Sequence, residues 1–466
     1  EALSTFIATP ISNILEKAGD GETEPESAVN DALNLFKAAA KNVPAYKTFV
    51  AENGVNPDNV NNLSDFKKFV PVVEKANYLH KYPLPERCAG GSIHAAGIDF
   101  IHVSSGSTGT PTFWARSLAS EVAVAARFEQ ILVDSFRANE KSTLAVIAFP
   151  LGSWVGGLFT TFCTRYVSLK GHPVTLVTPG DKVPEIIRCI QELGPLHQRT
   201  CILGYPPFVK GVIDTGVRQG VSWAAFDLSM VLAGEVFSEE WRQLVAGRAG
   251  IARPLRDMVS IYGTADAGVL GNETPLSAVI REWLGQRPEL AREVFGSDRL
   301  PTLVQYDPAT RLLEVSAEGT LILSSIDGAP DTASGPVRGA PLLRYHIQDR
   351  GGVMPLPAML ALLASRGFDP LSDPRLEGVP VRRLPLCWVF GRAHWAVSLY
   401  GANVFVDHVM VGMEQAEVAA FVTGKFILAV EHDADANPLV QLDVELAPAP
   451  EAPTDPPLKR KPYPRD

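Results

Sequence analysis

FIHVSSGSTGTPT, residues 100–112, joins a short apolar run to a loop of serine, threonine and glycine. The apolar run predicts a strand, and Gly106 and Gly109 let the backbone of the loop come close to a ligand. Hydroxyl groups and exposed amide N–H groups of the loop can hold phosphate oxygens. No Gly-Lys-Ser/Thr follows the glycines, so the loop is not a Walker A motif. The segment therefore indicates a phosphate-binding loop, with a plain Ser/Gly turn as the alternative.

The segments on either side of this loop alternate between helix-like and strand-like patterns. Residues 27–80 have helical patterns, and Ser64-Asp65-Phe66 is interpreted as a helix cap followed by its first turn. From about residue 98, short apolar runs are separated by longer amphipathic ones. The strand-like runs are 100–103, 144–149, 174–177, 201–203 and 230–233. Strands separated by helices predict an α/β fold with mostly parallel sheets flanked by helices.

The length of 466 residues is too great for one ordinary hydrophobic core and predicts more than one domain. We expect a large N-terminal part, 1–390, made of several subdomains, and a small α+β domain at 391–466. The subdomains are a helical start (1–97), a ligand-binding core (98–270), a helical insert (271–300) and a β-rich subdomain (301–390). The tail of the last domain is rich in proline from Pro448 onward.

Composition and charge exclude several classes of function. The formal net charge is -10, which argues against a surface for binding nucleic acid. The five cysteines are odd in number and form no Cys-x-x-Cys pair, so neither a disulfide framework nor a structural zinc site is expected. A reducing compartment, the cytoplasm, is therefore predicted. The first ten residues lack the pattern of a signal peptide.

An uncharged stretch at 142–164 is long enough to span a bilayer. Pro150, Gly152, Gly156 and Gly157 interrupt it, and serine and threonine are scattered through it. The interruptions favour a buried strand, a turn and a buried helix over a membrane span. We therefore expect no membrane partner, with a membrane span as the alternative.

Four further segments carry recognisable motifs downstream of the loop. They are AGE (233–235), IYGTAD (261–266), LRYHIQDR (343–350) and GR (391–392). Together with the loop, and in this order, they resemble the motifs of the adenylate-forming superfamily: acyl-CoA ligases, peptide-synthetase adenylation domains and luciferases. VPAY (43–46), FVPVVEK (69–75) and the spacing of Tyr345 and Asp349 are similar to the phenylacetate–CoA ligases. The resemblance runs from about residue 30 to 430.

The resemblance implies that the chain binds ATP with Mg²⁺, a carboxylic acid and coenzyme A. Residues implied for the phosphates are Ser104, Ser105, Gly106, Ser107, Thr108, Gly109 and Thr112. Residues implied for the adenosine are Gly234, Glu235, Tyr262, Gly263 and Asp349, with Tyr262 against either the adenine or the acyl group. Asp349 would accept hydrogen bonds from the ribose hydroxyls.

The same resemblance assigns the chemical roles. Thr264 would donate to the α-phosphate, and Asp266 would bind Mg²⁺, which prefers oxygen ligands. Arg392 lies where the mobile C-terminal domain begins, and Lys459 or Lys461 would contact the carboxylate and the α-phosphate. Phe149, Trp154 and Tyr205 follow predicted strands, where α/β sheets bind ligands, and Gly204 borders the same pocket by resemblance.

Each of these residues also has a structural interpretation that needs no function. Asp266 could cap a helix, and Asp349 with Arg350 could be a surface ion pair. Tyr345 and the pocket aromatics could simply pack in the core. Arg392 could be a solvated hinge residue. The two lysines could belong to a solvated basic tail.

The sequence departs from the phenylacetate–CoA ligase pattern at several points. Thr110 stands where that branch usually has lysine, and Ala265 occupies the position of the expected hydroxyl, one residue after Thr264. Asp266 replaces glutamate. Ala393-His394-Trp395 replaces the acidic hinge, and the C-terminal domain is short. The segment 268–272 lacks the cysteine and histidine that bind zinc in some relatives, so no zinc is expected.

The motifs together predict a ligase that makes an acyl-adenylate from ATP and an acid, then a thioester with coenzyme A. By resemblance the acid is aromatic or of medium size and apolar, and a homodimer is possible. Two alternatives stay open. The acyl group could pass to the phosphopantetheine of an acyl carrier protein, or the chain could be an impaired homologue that senses a nucleotide or acyl ligand.

Overall fold

The computed structural model describes residues 2–16, 18–94, 97–103, 112–152, 155–297, 300–392, 396–399, 402–432 and 438–447. The helices are α1 Ala2–Ala8, α2 Ile11–Glu16, α3 Glu26–Asn42, α4 Pro44–Glu52, α5 Leu63–Phe69, α6 Leu118–Gln130, α7 Val155–Leu169, α8 Val183–Leu193, α9 Pro206–Arg218, α10 Glu239–Ala249, α11 Pro254–Asp257, α12 Pro275–Gly285, α13 Pro288–Phe295, α14 Leu356–Ser365, α15 Val406–Glu414 and α16 Ala416–Ala419. The strands are β1 Phe100–Val103, β2 Phe113–Arg116, β3 Thr143–Ala148, β4 Val174–Val177, β5 Arg199–Gly204, β6 Leu228–Ala233, β7 Met258–Thr264, β8 Gly268–Asn272, β9 Thr302–Tyr306, β10 Arg311–Val315, β11 Thr320–Ser325, β12 Tyr345–Met354, β13 Leu386–Arg392, β14 Ala396–Leu399, β15 Ala402–Phe405, β16 Val422–His432 and β17 Pro438–Leu446.

One sheet organises most of the described chain. Its strand order is β10-β11-β12-β13-β9-β8-β7-β6-β5-β3-β4. The run from β4 to β7 is parallel, and every pairing from β7 to β10 is antiparallel. The parallel half is built from strands joined by helices, which is the usual way that parallel neighbours are connected. This α/β architecture, together with the small sheets described below, confirms the predicted fold class.

Helices cover both faces of the parallel half, so its strands are buried on both sides. Alternate residues of β3 enter different cores: Ala145 and Ile147 pack with α6 and α7, while Leu144 and Val146 pack with α8, α9 and α10. This burial explains why the strands read as continuous apolar runs rather than alternating patterns. The uncharged stretch is divided between β3 and α7, as its interruptions predict. Within the described residues, no helix has the length and apolarity to cross a membrane.

The N-terminal helices pack on the antiparallel half of the sheet through aromatic side chains such as Phe36, Tyr46 and Phe66. The helix predicted to follow a cap at Ser64 begins at Leu63, two residues earlier than expected. Its cap is Asn62, whose side chain accepts a hydrogen bond from the backbone N–H of Asp65 at 2.9 Å. The interpretation of Ser64 as the cap is therefore wrong, because asparagine is an equally good cap and stands two residues earlier.

The predicted helical insert contains α12 and α13, and it is not a surface appendage. Every residue from 275 to 281 is buried. Arg281 donates to the carbonyl oxygens of Pro301 at 2.6 Å and Phe237 at 2.7 Å and pairs with Glu239. The insert therefore forms part of the core beneath β9 and β13.

Small sheets lie outside the main one. β1 pairs antiparallel with β2, and the chain between them is the predicted phosphate loop, whose residues 104–111 lie outside the described residues. Near the C-terminus, β14 pairs with β15 and β16 with β17. The C-terminal elements meet the main body at α9, where the buried Lys210 ammonium lies 3.5 Å from the carbonyl oxygen of Ala419 and 3.4 Å from that of Val422. All five cysteines are buried and unpaired.

Candidate active site

The carboxyl ends of the parallel strands meet at one edge of the sheet. The register pairs Ala148 with Gly204, and Ala233 with Ile261. Phe149, Tyr205 and Gly234 therefore follow the ends of three adjacent strands, β3, β5 and β6, and Gly234 comes next to the end of β7. This edge is where open α/β sheets bind ligands.

Tyr205 and Glu235 face each other across this edge. The Tyr205 hydroxyl donates to Glu235 Oε1. Burial, followed by the Glu235 charge, raises the pKa of Tyr205 well above its usual range, so the phenol stays protonated as the donor. Gly234 has φ +103°, and a Cβ there would lie 3.1 Å from the Tyr205 ring. The glycine of the AGE motif therefore allows the backbone to pass close beside the ring.

A hydrogen bond joins the IYGTAD segment to the LRYHIQDR segment. The Tyr262 hydroxyl donates to Asp349 Oδ2 at 2.9 Å, in the buried interior. Asp349 lies on β12, which is separated from β7 by three strands in the order of the sheet. Asp349 is also paired in register with Arg392 of β13. No ion pair between Asp349 and Arg350 occurs among the described residues, and the Arg350 guanidinium lies over the Phe390 ring instead.

Asp266 is buried between an aromatic hydroxyl and a lysine. The Tyr345 hydroxyl donates to Asp266 Oδ2 at 2.5 Å, and Lys75 Nζ lies 3.9 Å from the same oxygen. Asp266 sits in the turn from β7 to β8, so it caps no helix, and that alternative is wrong. Thr264 Oγ1 accepts a bond from the backbone N–H of Ala267 at 3.1 Å, which leaves its hydroxyl hydrogen available to a ligand.

Lys75 reaches this site because the chain before it is attached to β12. Val73 donates its N–H to the carbonyl oxygen of Arg344 at 2.9 Å, and its own carbonyl accepts from the N–H of His346 at 2.8 Å. Glu74 lies 3.1 Å from His346 Nδ1, which tightens the same attachment. In the sequence, FVPVVEK served only as a family likeness, and Lys75 was not among the predicted site residues. The sequence feature that could have identified Lys75 is that it is the only cation in the FVPVVEK motif.

Arg344 locks the start of β12. Its φ is +48°, which is rare for a residue with a side chain. Its guanidinium makes two 3.0 Å bonds to Glu314 and one of 2.5 Å to the carbonyl oxygen of Val70. This buried fork fixes Tyr345, the next residue, in the position from which it holds Asp266.

The structure describes some of the remaining predicted residues, and others lie outside the described ranges. Thr112 is buried, with Oγ1 3.4 Å from His80 Nε2. Phe149 is buried, and a Cβ on Gly156 would lie 3.6 Å from its ring. A Cβ on Gly204 would meet Val209 at 2.6 Å. The predicted residues that lie outside the described ones are Ser104, Ser105, Gly106, Ser107, Thr108, Gly109, Trp154, Lys459 and Lys461, as do 393–395 of the hinge.

The surroundings of Asp266 fit a magnesium ion incompletely. Both of its described contacts use Oδ2, so a metal ion would have to be reached through Oδ1. The Lys75 ammonium would share the carboxylate with that metal, and like charges repel at such distances. Within the ranges that the structure describes, no group of three or more histidine, cysteine, aspartate or glutamate residues is arranged to hold a metal ion. The metal role of Asp266 stays a prediction.

No protein-family model matches the chain. A phenylacetate–coenzyme A ligase of Aromatoleum evansii is 25% identical over 377 residues, which cover 75% of this chain and 74% of that protein. A phenylacetate–coenzyme A ligase of Pseudomonas putida is 22% identical over 332 residues, covering 69% and 64% respectively.

Solved structures of 2-hydroxyisobutyryl-CoA ligase share the fold. The postadenylation state in complex with R3-HIB-AMP has a TM-score of 0.64 at 14% identity, covering 91% of this chain and 78% of that one. The thioesterification state with 2-HIB-AMP and CoA has a TM-score of 0.56 at 15% identity, covering 95% and 81%.

Proposed function

We propose that the chain activates a carboxylic acid with ATP and transfers the acyl group to coenzyme A. The chain is a homologue of the phenylacetate–CoA ligases and has the fold of adenylate-forming CoA ligases. The products are AMP, pyrophosphate and the acyl-CoA thioester. The observation that carries this proposal is the 2.9 Å bond from Tyr262 to Asp349, two residues 87 positions apart in the chain. It brings the segment implied for the α-phosphate beside the carboxylate implied for the ribose.

The described residues suit the first half-reaction, in which the acid attacks the α-phosphorus and pyrophosphate leaves. Two anions must be brought together, so donors and positive charge have to face the reacting oxygens. Thr264 offers a hydroxyl hydrogen, and Lys75 offers an ammonium 3.9 Å from Asp266. We assign Lys75 to the phosphate side of the site. There its ammonium supplies the positive charge that is missing because Thr110 stands where the phenylacetate–CoA ligases usually have lysine.

We assign the acyl pocket to the part of the sheet edge where Phe149 and Tyr205 lie. Phe149 packs against Gly156 near the start of α7, and Tyr205 is held in place by Glu235. Apolar walls with a few fixed polar groups are typical of small-molecule pockets. An aromatic or medium-sized apolar acid suits these walls. The free and buried cysteines agree with a cytoplasmic location.

ATP–pyrophosphate exchange with a panel of aromatic, branched and linear acids tests the first half-reaction. We expect exchange that depends on one class of acid and is lost in Asp349→Ala. Thioester formation with free coenzyme A and with a phosphopantetheine-bearing carrier protein then identifies the acceptor. Nucleotide binding without exchange for any acid would favour the impaired sensor instead, and a preference for the carrier protein would replace coenzyme A as the acceptor.

A further inference from the structure

A cavity lies next to β2, the second strand of the hairpin that carries the predicted phosphate loop. It has a volume of about 480 Å³ and is bounded by the end of β2, the start of α6 and the loop 327–342. None of its lining residues is among those assigned above to ATP or the acid. Three arginines line it: Arg116, Arg311 and Arg338.

The arginines at this cavity have donors without partners. The Nε groups of Arg116 and Arg311 are buried and unsatisfied. Arg311 is 4% exposed and is held by Asp327 and by the carbonyl oxygen of Thr310 at 2.7 Å. Buried polar groups normally have hydrogen-bond partners, so these two orphaned guanidinium donors, from two arginines that line one cavity, indicate a missing acceptor.

The charges also favour an anion. Burial, and next the repulsion from Arg311, lowers the pKa of Arg116 to about 10. Arg338 is exposed and makes no hydrogen bond or ion pair with any described residue. With Asp327 and Asp331 the lining carries three positive and two negative groups, so one positive charge is uncompensated.

The start of α6 contributes to the same side of the cavity. Ser117, its N-cap, and Ser120 line the wall, and helix N-termini favour negative charge. Arg116 also connects the cavity to the active site, because its Nη2 donates to the carbonyl oxygen of Ala265 at 2.8 Å. Ala265 lies between Thr264 and Asp266.

We propose that this cavity is a binding site for a small oxyanion, a carboxylate or phosphate group on a metabolite, that acts as an effector. The anion accepts from the guanidinium groups of Arg116, Arg311 and Arg338. Its binding fixes Arg116 and so steadies the turn that carries Thr264 and Asp266. An effector acting in this way changes nucleotide affinity without touching the nucleotide.

Binding is tested by calorimetry on the full chain with inorganic phosphate and with citrate, in the presence of saturating AMP. We expect one anion site, with affinity reduced about tenfold or more in Arg338→Gln, as the loss of a charge-assisted bond implies. Arg383→Gln is the matched control, since Arg383 is exposed, makes no ion pair among the described residues and lines no part of this cavity. Equal affinity in Arg338→Gln and the wild-type chain, or no binding of either anion, would overturn the proposal.

The effector role is tested by AMP affinity, measured with and without the anion that binds. Coupling between two sites is reciprocal, so AMP must change the anion affinity by the same factor. We expect this factor to fall to one in Arg116→Lys, which keeps the charge but loses the fork that reaches Ala265. If the anion leaves the AMP affinity of the wild-type chain unchanged, the effector role is wrong. Both measurements need no turnover, so they stand or fall separately from the proposed ligase activity.

Discussion

Asp349 is the carboxylate that we propose for the nucleotide site. It accepts from Tyr262 at 2.9 Å and is 6% exposed, so a ligand hydroxyl reaching it would be shielded from water. We expect Asp349→Ala to weaken ATP and AMP binding by roughly 1–3 kcal/mol, the usual cost of losing a buried acceptor. Calorimetry measures this directly. Tyr262→Phe keeps the carboxylate and should weaken binding less; equal nucleotide affinity in wild type and Asp349→Ala would remove the assignment.

Lys75 is the residue that sequence reasoning missed and that the structure places beside Asp266. Its side chain is 23% exposed, and methionine is of similar length, so Lys75→Met removes the charge without leaving a large cavity. We expect Lys75→Met to slow adenylation about tenfold or more, because a charge facing the developing phosphate charge is lost. Single-turnover formation of acyl-adenylate measures the rate. Lys47→Met, at an exposed lysine of the N-terminal helices, should leave the rate unchanged. A Lys75→Met rate equal to the control rate would show that Lys75 only pairs with Asp266.

At the scale of elements, the parallel strands were predictable and the antiparallel ones less so. Strands such as β3 are buried on both faces, so they read as uninterrupted apolar runs that local patterns identify. The order β12-β13-β9 depends on pairings between residues that are 32 or more positions apart, for example Met354 with Leu386 and Val389 with Thr302. Local periodicity carries no information about such pairing. The family resemblance, which is confirmed, implies the general fold, but it did not indicate which cation would lie beside Asp266.

Helix α15 carries a carboxyl group into the contact between the C-terminal elements and the main body. Glu414 lines a small crevice together with Lys210, Trp241 and Val422. Burial, the largest cause, and repulsion from Glu240 raise its pKa to about 7, while Ser238 and Arg281 oppose the rise. The carboxyl is therefore protonated when α15 is docked at mildly acidic pH.

The expected consequence is docking that weakens as the pH rises. A raised pKa means that the contribution of Glu414 is complete below its ordinary value near 4.5 and is lost as the pH passes through about 7. Hydrogen exchange of α15 and β16, corrected for intrinsic rates, should show less protection at pH 8.5 than at pH 5.5. Glu414→Gln should abolish the difference, and Glu417→Gln, at an exposed position, should keep it. Equal protection of the wild-type chain at both pH values would contradict this account.

At the scale of the whole molecule, the candidate site is assembled from segments far apart in sequence. The site residues come from the helical start (Lys75), the end of β7 and the turn after it (Thr264 and Asp266), and β12 (Tyr345 and Asp349). Three backbone and side-chain contacts hold them: Val73 with β12, Tyr345 with Asp266, and Tyr262 with Asp349. The order of motifs along the chain implied that these segments belong together. Which atoms meet follows only from the three-dimensional packing.

The C-terminal elements connect to this site through β13. Arg392, its last residue, is paired in register with Asp349, so the chain leaves the candidate site at the point where the C-terminal domain is predicted to begin. A domain attached at that point can turn while keeping its end near the reacting groups, and such motions often separate the steps of a reaction. If Lys459 or Lys461 contacts the carboxylate and α-phosphate, the tail is needed in only one of the two half-reactions.

We therefore expect a chain ending at Pro457 to form acyl-adenylate slowly, about tenfold or more below the full chain, because a positive charge on the α-phosphate is lost. Thioester formation from preformed acyl-adenylate and coenzyme A should stay close to the full-chain rate. The two half-reactions are measured separately, by pyrophosphate release and by thioester formation. A full-length chain with both Lys459→Ala and Lys461→Ala distinguishes loss of charge from loss of length. Intact adenylation in both variants would show that neither lysine is catalytic, and Lys75 would then be the described cation best placed to face the α-phosphate.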